Sequence, residues 1–297
     1  MKVLAFGEIL WDLIDGQPYL GGAPFNFAAH FARCGNQSFL VSSVGNDNLG
    51  WRALSEAGRL GVDCTYVNMH TKAPTGTVDV YLNKGEPDYT IIENVAFDEI
   101  RPLEELYGQP KAFDILYMGT LCQRNAVSAG ALRRIIDTMK FKHVFYDVNL
   151  RKNTWTTKIL HDTLGSCTIL KLNKDEVPVV GSRLIGEKLD TESFCRKVVA
   201  RYENISLVIV TAAADGCFLF DTNNYSHVPG FQVETVDAIG AGDAFSAVFM
   251  HTYSLTGDPM HAARVANRIG AFVASSRGAI PDYPDEILDV LKTAKLR

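Results

Sequence analysis

Short apolar strands that alternate with amphipathic helices constrain the fold of this chain more than any other feature. Apolar runs with β-branched and aromatic residues, typical of buried parallel strands, occupy Val3–Phe6, Phe39–Val44, Ile115–Met118, Val144–Val148, Thr168–Leu172 and Leu207–Thr211. Helical patterns lie between them, over Pro24–Cys34, Ala126–Met139, Thr191–Tyr202, Ala244–Leu255 and Pro259–Ser275. The alternation predicts an α/β fold with a mainly parallel sheet covered by helices on both faces.

One stretch, Cys64–Ile92, departs from this alternation. It contains consecutive strand patterns without a helix, at Thr65–His70, Thr75–Leu82 and Asp88–Ile92, with a turn at Lys84-Gly85-Glu86-Pro87. A sheet this small cannot form a core of its own, so it must pack on the main domain, on another subunit or over a ligand. Residues Trp11–Leu20 are expected to add a strand to it. We therefore predict one domain over residues 1–297, with a small antiparallel β lid formed by about 11–20 and 64–92.

Composition excludes several classes of protein. The 297 residues are 47% hydrophobic and carry a net charge of −5 without long runs of one sign, so we expect neither nucleic acid nor a membrane as a partner. Apolar runs such as Leu207–Ala214 are too short to span a bilayer, and the N-terminus lacks a secretory pattern. These features predict a soluble, cytoplasmic protein. The six cysteines are scattered, which favours free core thiols over disulfides or a zinc site.

The segment Val236–Phe245 carries the strongest chemical signal, because Gly240 and Gly242 precede Asp243 at the start of an apolar helix. Glycines let a ligand approach the backbone, and the first N–H groups of a helix have no partner inside it. Together with the helix dipole, these amides form an anion site. The same field favours an ionised Asp243, which could accept a hydroxyl proton as that oxygen attacks a phosphoryl group. The alternative is a plain glycine turn with Asp243 as the helix N-cap.

A second signal lies at Gly21-Gly22-Ala23-Pro24-Phe25-Asn26, at the start of another helix. The paired glycines leave room for a ligand, and Asn26 offers a donor and an acceptor to sugar hydroxyls. Asp12 follows the first strand, at the carboxyl end of the sheet where open α/β folds bind ligands. The alternative is a loop aspartate at Asp12 and a local cap at Asn26.

Together these motifs resemble the ribokinase-like sugar kinases, also called the phosphofructokinase B family, over nearly the whole chain. The family's Gly-Gly with a following Asn matches Gly21, Gly22 and Asn26, and its Asp-Thr-x-Gly-Ala-Gly-Asp signature matches Asp237–Asp243 with Ala238 for Thr. Further segments similar to family motifs are Val44–Gly50, Asp147–Arg151 with Trp155, and Asn173–Glu176. Gly21–Pro24 and the opening Gly7–Ile14 are most similar to bacterial fructokinases.

The resemblance implies that the γ-phosphoryl group of ATP passes to a primary sugar hydroxyl, most simply O6 of fructose. It assigns the base to Asp243, the anion-binding amides to Gly240, Ala241 and Gly242, a fixed cation to Arg151, and the sugar contacts to Asp12, Gly22 and Asn26. Nucleotide contacts fall on Asn173, Thr211, Gly216, Asn267 and Gly278, and Mg²⁺ is held through water by Asn173 and Glu176. The lid then covers the sugar and joins two copies in a homodimer. A monovalent cation near Asp237 is compatible with the resemblance, but the sequence does not assign it.

Departures from the family pattern leave other functions open. Ala213 replaces a glycine near the nucleotide, so a positive φ there would strain the loop or move it. Another substrate of the same family, such as 2-keto-3-deoxygluconate, ribose or a nucleoside, remains an alternative, as does a non-catalytic sugar-binding protein. A dinucleotide-dependent oxidoreductase is disfavoured because Gly7-Glu8-Ile9-Leu10 follows the first strand in place of a G-x-G-x-x-G motif.

Overall fold

The computed structural model describes residues 1–14, 16–83, 86–109, 111–221 and 224–294, with residues 80–83 and 86–89 described by their backbone only. The chain divides into two compact units, Met1–Lys142 and His143–Arg297. The prediction of a single domain over 1–297 stays a prediction, and each unit is described by itself below.

The first unit combines parallel strands with crossover helices. Its described strands are β1 (Lys2–Phe6), β2 (Leu10–Ile14), β3 (Gln17–Gly21), β4 (Gln37–Gly45), β5 (Val62–His70), β6 (Gly76–Asn83), β7 (Glu86–Ile91) and β8 (Ile115–Met118). Its described helices are α1 (Ala23–Arg33), α2 (Asn48–Arg59), α3 (Glu104–Tyr107) and α4 (Ala126–Thr138).

Strands β5, β4, β1 and β8 lie side by side in that order, and every pairing is parallel. All residues of β8 are buried, as are those of β1 after Lys2. Since successive side chains of a strand point to opposite faces, both faces of these strands are covered. Phe27 of α1 stacks on Tyr117 of β8 with ring centroids 3.9 Å apart. The parallel α/β prediction is confirmed.

The small sheet has the strand order β3, β2, β6, β7. Its two outer pairings are antiparallel, whereas β2 and β6 in the middle are parallel. The segment Trp11–Leu20 contributes two strands in place of one. The predicted lid strand Thr65–His70 is wrong, because these residues belong to β5 and pair with β4 in the larger sheet. Strand patterns do not identify the partner strand. The predicted turn includes Lys84 and Gly85, which lie outside the described residues.

A hydrogen-bonded junction joins the start of β6 to the end of β4. Asp47, the N-cap of α2, accepts hydrogen bonds from Gly50 N at 2.8 Å and from Thr75 N and Oγ1 at 2.8 and 2.6 Å. Thr75 Oγ1 in turn accepts one from Gly45 N at 3.0 Å. Although burial acts to raise it, these hydrogen bonds hold the pKa of Asp47 below its ordinary value. The segment Val44–Gly50, which is similar to a family motif, thus has a structural role in joining β4, α2 and the start of β6.

The second unit also alternates strands and helices. Its described strands are β9 (His143–Asp147), β10 (Ile169–Asn173), β11 (Leu207–Thr211), β12 (Cys217–Asp221) and β13 (Asn224–Val228). Its described helices are α5 (Thr157–Leu164), α6 (Glu176–Leu184), α7 (Thr191–Arg201), α8 (Ala241–Thr256), α9 (Pro259–Ala274) and α10 (Asp285–Thr293). Strands β9, β10 and β11 are parallel, and β12 and β13 extend this sheet with antiparallel pairings.

Helix α8 is the central helix of this unit. Its residues Ala244–Thr252 are all buried, so the helix is enclosed on every side and its N-terminus has a fixed position. No helix in the described part of the chain has the length and apolar character needed to cross a membrane. No disulfide joins any of the six cysteines, and five of them are buried.

Candidate active site

The loop before α8 is held in one conformation by glycine geometry and by Asp237. Gly240 is the N-cap of α8 and has φ 80°, and a Cβ at this position would lie 2.7 Å from Ala279 Cα. Asp237 Oδ1 accepts a hydrogen bond from Ile239 N at 3.0 Å, and its Oδ2 accepts one from Gly278 N at 3.2 Å. Gly278, predicted to bind the nucleotide, therefore donates to Asp237 and supports the loop.

The first turn of α8 has the features of an anion site. No side chain caps the helix, and Ala241 N donates a long hydrogen bond to Ala238 O at 3.4 Å, which leaves the Gly242 amide for a ligand. Ala241 and Gly242 line an adjoining cavity, and Asp243 is the acidic residue of this turn. The alternative with Asp243 as N-cap is wrong, because the helix begins at Ala241 and its cap is Gly240. The positive end of the helix dipole favours a bound anion here.

The adjoining cavity has a volume of about 500 Å³ and lies entirely within the second unit. Four predicted nucleotide contacts line it: Asn173, Thr211, Gly216 and Asn267. Much of the remaining lining is apolar, including Phe231, Val233, Phe245, Ala271 and Ala274. A predominantly apolar cavity that ends at an anion-binding helix N-terminus suits a ligand with a flat ring at one end and phosphate at the other.

The loop between β11 and β12 carries the departure at Ala213. Ala213 has φ 47° and Gly216 has φ 92°. Gly216 must be glycine, since a Cβ would lie 2.6 Å from the Pro229 carbonyl carbon. For Ala213 the left-handed conformation costs about 1–2 kcal/mol. The loop thus keeps the conformation that glycine favours and accepts the strain.

Asn267 has a structural role that its sequence position did not reveal. Its Nδ2 donates hydrogen bonds to Val228 O at 3.1 Å and Pro229 O at 3.0 Å. Both amide hydrogens are therefore used to tie α9 to the end of β13. Asn267 lines the cavity but offers a nucleotide none of its donors.

A second, more open cavity of about 700 Å³ contains Arg151, and it shares Asn173 and Asp175 with the first. Trp155 and Arg183 also line it, with the Arg183 guanidinium 6.0 Å from the Trp155 ring centroid. Arg151 and Glu176, both predicted site residues, therefore line a common cavity that adjoins the first one.

Glu176 connects β10, α6 and the segment after β9. Its Oε1 accepts a hydrogen bond from Leu150 N at 2.6 Å, and its Oε2 accepts one from Asn173 N at 2.8 Å. Asn173 Oδ1 accepts one from Glu176 N at 3.0 Å. Burial raises the pKa of Glu176 above its ordinary value, against the lowering effect of these amides.

The side-chain oxygens of Glu176 and Asn173 are suited to holding Mg²⁺ through its bound water molecules. The carboxylate and amide oxygens of Glu176 and Asn173 retain lone pairs beyond the hydrogen bonds they accept. Among the described residues there is no cluster of three acidic, histidine or cysteine side chains for direct ligation. Mg²⁺ in phosphate sites keeps several waters and binds one or two carboxylates together with substrate phosphates.

Sequence reasoning missed a buried ion pair beneath the first turn of α8. Lys171 of β10 places its Nζ 3.0 and 2.9 Å from Asp147 Oδ1 and Oδ2. Burial acts to lower the pKa of Lys171, but the carboxylates of Asp147, Glu176 and Asp243 raise it above its ordinary value. A lysine inside the apolar run Ile169–Leu172 was the available signal.

The predicted sugar contacts lie in the first unit. Asp12 is on β2, and its Oδ2 lies so close to Gly21 that a Cβ there would be 2.7 Å away. Gly22 caps α1 with φ 109°, and a Cβ would lie 2.5 Å from Glu8 O. Buried Asn26 is in the first turn, where its N donates to Gly22 O at 2.8 Å. These residues surround one helix N-terminus.

Known proteins share this architecture. A fructokinase from Escherichia coli is 31% identical over 95% of this chain and 96% of its own length. A sugar kinase from Pyrococcus horikoshii has the same fold, with a TM-score of 0.84 and 24% identity over 99% of this chain and 100% of that one. The fructokinase of Vibrio cholerae O395, solved with fructose, ADP and calcium ion, has a TM-score of 0.83 and 23% identity, covering 98% of both chains.

These structures confirm the predicted ribokinase-like α/β fold. Residues 7–286 match the pfkB family of carbohydrate kinases, a range that includes both glycine motifs. The chain therefore belongs to the pfkB family of carbohydrate kinases.

Proposed function

We propose that this protein is an ATP-dependent fructokinase that transfers the γ-phosphoryl group to O6 of fructose. The observation that carries the proposal is the uncapped N-terminus of α8, with Asp243 in its first turn and the 500 Å³ cavity beside it. The similarity to an E. coli fructokinase supports fructose as the substrate.

The first cavity would hold ATP. Its apolar lining, with Phe231 and Val233, suits the adenine ring. Asn173 and Lys174 line the same cavity and supply polar contacts for the phosphates. The amides of Ala241 and Gly242 face the charge that develops on the transferring group.

In the proposed reaction, the bond between the γ-phosphorus and its bridging oxygen breaks, and a bond from the sugar O6 to that phosphorus forms. The O6 proton passes to the Asp243 carboxylate. ADP leaves with the bridging oxygen. Because phosphoryl transfer has a loose transition state, Asp243 mainly orients the hydroxyl and accepts its proton late. Arg151, in the cavity that shares Asn173, would add a fixed cation.

Mg²⁺ bound to ATP would neutralise phosphate charge during this transfer. Asn173 and Glu176 would hold its waters. Their side-chain oxygens support this, and both residues line the second cavity, which shares Asn173 with the first.

Asp12, Gly22 and Asn26 would bind the sugar. A carboxylate accepts hydrogen bonds from two hydroxyls, and the Asn26 amide both donates and accepts. Asp12 belongs to the small sheet itself, which supports a lid that contributes a sugar contact.

Release of ADP against a panel of sugars tests the proposal. Among fructose, glucose, ribose, 2-keto-3-deoxygluconate and a nucleoside, fructose should give the highest kcat/KM. A clear preference for another member would refute fructose and retain a kinase of another family substrate. Sugar binding without ADP release from any of them would favour the non-catalytic alternative.

We also propose a homodimer in which the small sheets of two copies pack face to face. A four-stranded sheet of this size cannot form a core of its own, and a second copy would supply a surface for it to pack on. Light scattering at micromolar concentration should give twice the chain mass of 32.7 kDa. A monomer would overturn the dimer without affecting the kinase assignment.

A further inference from the structure

The ion pair formed by Lys171 and Asp147 is oriented along the start of α8. The Lys171 side chain is 9% exposed and that of Asp147 is 1% exposed. The ammonium lies against Gly242 in the first turn, where a Cβ would be 3.4 Å from Nζ. The carboxylate lies against the next turn, where Ser246 Oγ is 3.3 Å from Asp147 Oδ2 and 2.9 Å from Gly242 O. The positive end of the pair therefore faces the helix N-terminus.

Gly242 is the part of the first turn that faces the ammonium. Its φ is not among the positive values, so the backbone conformation does not require glycine. The only neighbour that a Cβ would meet within 4 Å, among the described residues, is Lys171 Nζ. A Cβ at this position would be in ordinary van der Waals contact with Nζ, so the buried cation lies directly beneath the amides of the anion site.

The ammonium also has an unused donor. It has three N–H groups, and the two oxygens of Asp147 are its hydrogen-bond acceptors within the part of the chain that is described. A buried charge acts over several ångströms because the surrounding dielectric is low. An ammonium at the first turn adds to the positive potential at the N-terminal end of the helix, which favours a bound anion there.

We propose that Lys171 is a positioning residue for phosphoryl transfer: held by Asp147 and Ser246 under Gly242, its fixed charge strengthens the α8 anion site in the transition state. This inference rests on the proposed kinase activity. Lys171 acts through Gly242 and Asp243 and does not itself contact the sugar. Its loss should lower kcat, while the ground-state affinities for ATP and sugar should change little.

The experiment uses the double variant Lys171→Met/Asp147→Asn, which removes both charges and leaves no buried unpaired carboxylate. With the sugar that the wild type phosphorylates best, we expect kcat to fall about 10²-fold, comparable to losing one oxyanion donor. The KM values for ATP and sugar should stay within about threefold of wild type. Lys197→Met, which removes a lysine that pairs with Glu187 on the exposed surface, is the charge control and should retain wild-type kcat.

Two outcomes would overturn the inference: a folded double variant with wild-type kcat, or a rise in KM for ATP at unchanged kcat. If the double variant does not fold, Ser246→Ala decides. It removes the hydroxyl between Asp147 and Gly242 and should lower kcat about three- to tenfold at unchanged KM, whereas an unchanged kcat would overturn the inference. Absence of ADP release by the wild type with every sugar would instead refute the proposed function.

Discussion

Two helices of this protein, α1 and α8, both begin after a glycine cap and differ in the chemistry around their first turns. Each has a glycine N-cap with positive φ, Gly22 at 109° and Gly240 at 80°, and neither receives a side-chain cap. Both caps pack so closely on backbone atoms that a Cβ would overlap them. The two caps share a positive φ but differ in ψ, which is 124° at Gly22 and −10° at Gly240.

Charge separates the two helix starts. α1 has no acidic residue in its first turn, has Pro24, which lacks an N–H, as its second residue, and presents the amide of Asn26. α8 has Asp243 in its first turn, an uncapped set of amides, and Lys171 beneath Gly242. A first turn with an amide and no charged side chain suits a polyhydroxyl ligand, and a charged, open first turn suits a phosphoryl group. Both helices have a glycine N-cap with positive φ, and the side chains of their first turns give the two sites different chemistry.

The largest expected effect comes from removing the charge of the α8 turn. Asp243→Asn keeps the size of the side chain and removes the base, so kcat should fall by about 10²–10⁴-fold while ATP and sugar still bind. Steady-state kinetics and binding measurements check this. The melting temperature should stay near that of the wild type, because Asp243 does not cap the helix.

Asp285→Asn, which changes an acidic residue in the first turn of α10, is the matched control and should retain full kcat. Near-normal kcat in Asp243→Asn would remove the distinction between the two helix starts.

A smaller effect is expected at the start of α1. Asp12→Ala should raise the KM for the sugar by about one to two decades and leave kcat comparatively unchanged, because a charged acceptor is worth roughly 1.5–3 kcal/mol. Asp79→Ala, at an exposed position on β6 of the same sheet, should leave the sugar KM unchanged. An equal loss of kcat in Asp12→Ala would place this residue in the chemical step and contradict its assignment to sugar binding.

The smallest expected effect is on stability, and it tests the two glycine caps. Gly22→Ala and Gly240→Ala should each lower the free energy of unfolding by more than the roughly 1–2 kcal/mol of backbone strain alone, because the new Cβ also overlaps backbone atoms, and urea denaturation measures this loss. The functional losses should differ: the sugar KM for Gly22→Ala and kcat for Gly240→Ala. If either alanine variant has wild-type stability, the two caps are not equivalent.

The sequence predicted the periodic elements well because burial of both strand faces and of one helix face imposes a local pattern. The predicted helix Pro24–Cys34 matches α1 to within a residue at each end, and the strand Leu207–Thr211 matches β11. Strand pairing is not local, so Thr65–His70 was assigned to the wrong sheet. The antiparallel pairing of β12 with β13 was not predicted, for the same reason.

The sequence indicated positions where the backbone requires glycine, as at Gly22, Gly240 and Gly216. Roles that depend on a distant partner were not. Asn267 points its donors at the β13 carbonyls, and Gly278 donates to Asp237, contacts that no spacing in the sequence reveals. Lys171 was visible as a charge inside an apolar run, but its position against Gly242 in the first turn of α8 was not.

The parallel pairing of β2 with β6 bears on the order of folding. Leu10 pairs with Gly76 and Ile14 with Val80, so α1, β4, α2 and β5 lie between the partners in the chain. Closing so long a loop costs entropy before any contact forms, whereas β1 and β4 meet across a much shorter connection. We expect the small sheet to fold after the parallel strands and to be the first part to exchange its amide hydrogens. Under mild denaturant the protein would then lose the proposed contact between Asp12 and the sugar, while the cavity proposed for the nucleotide persists.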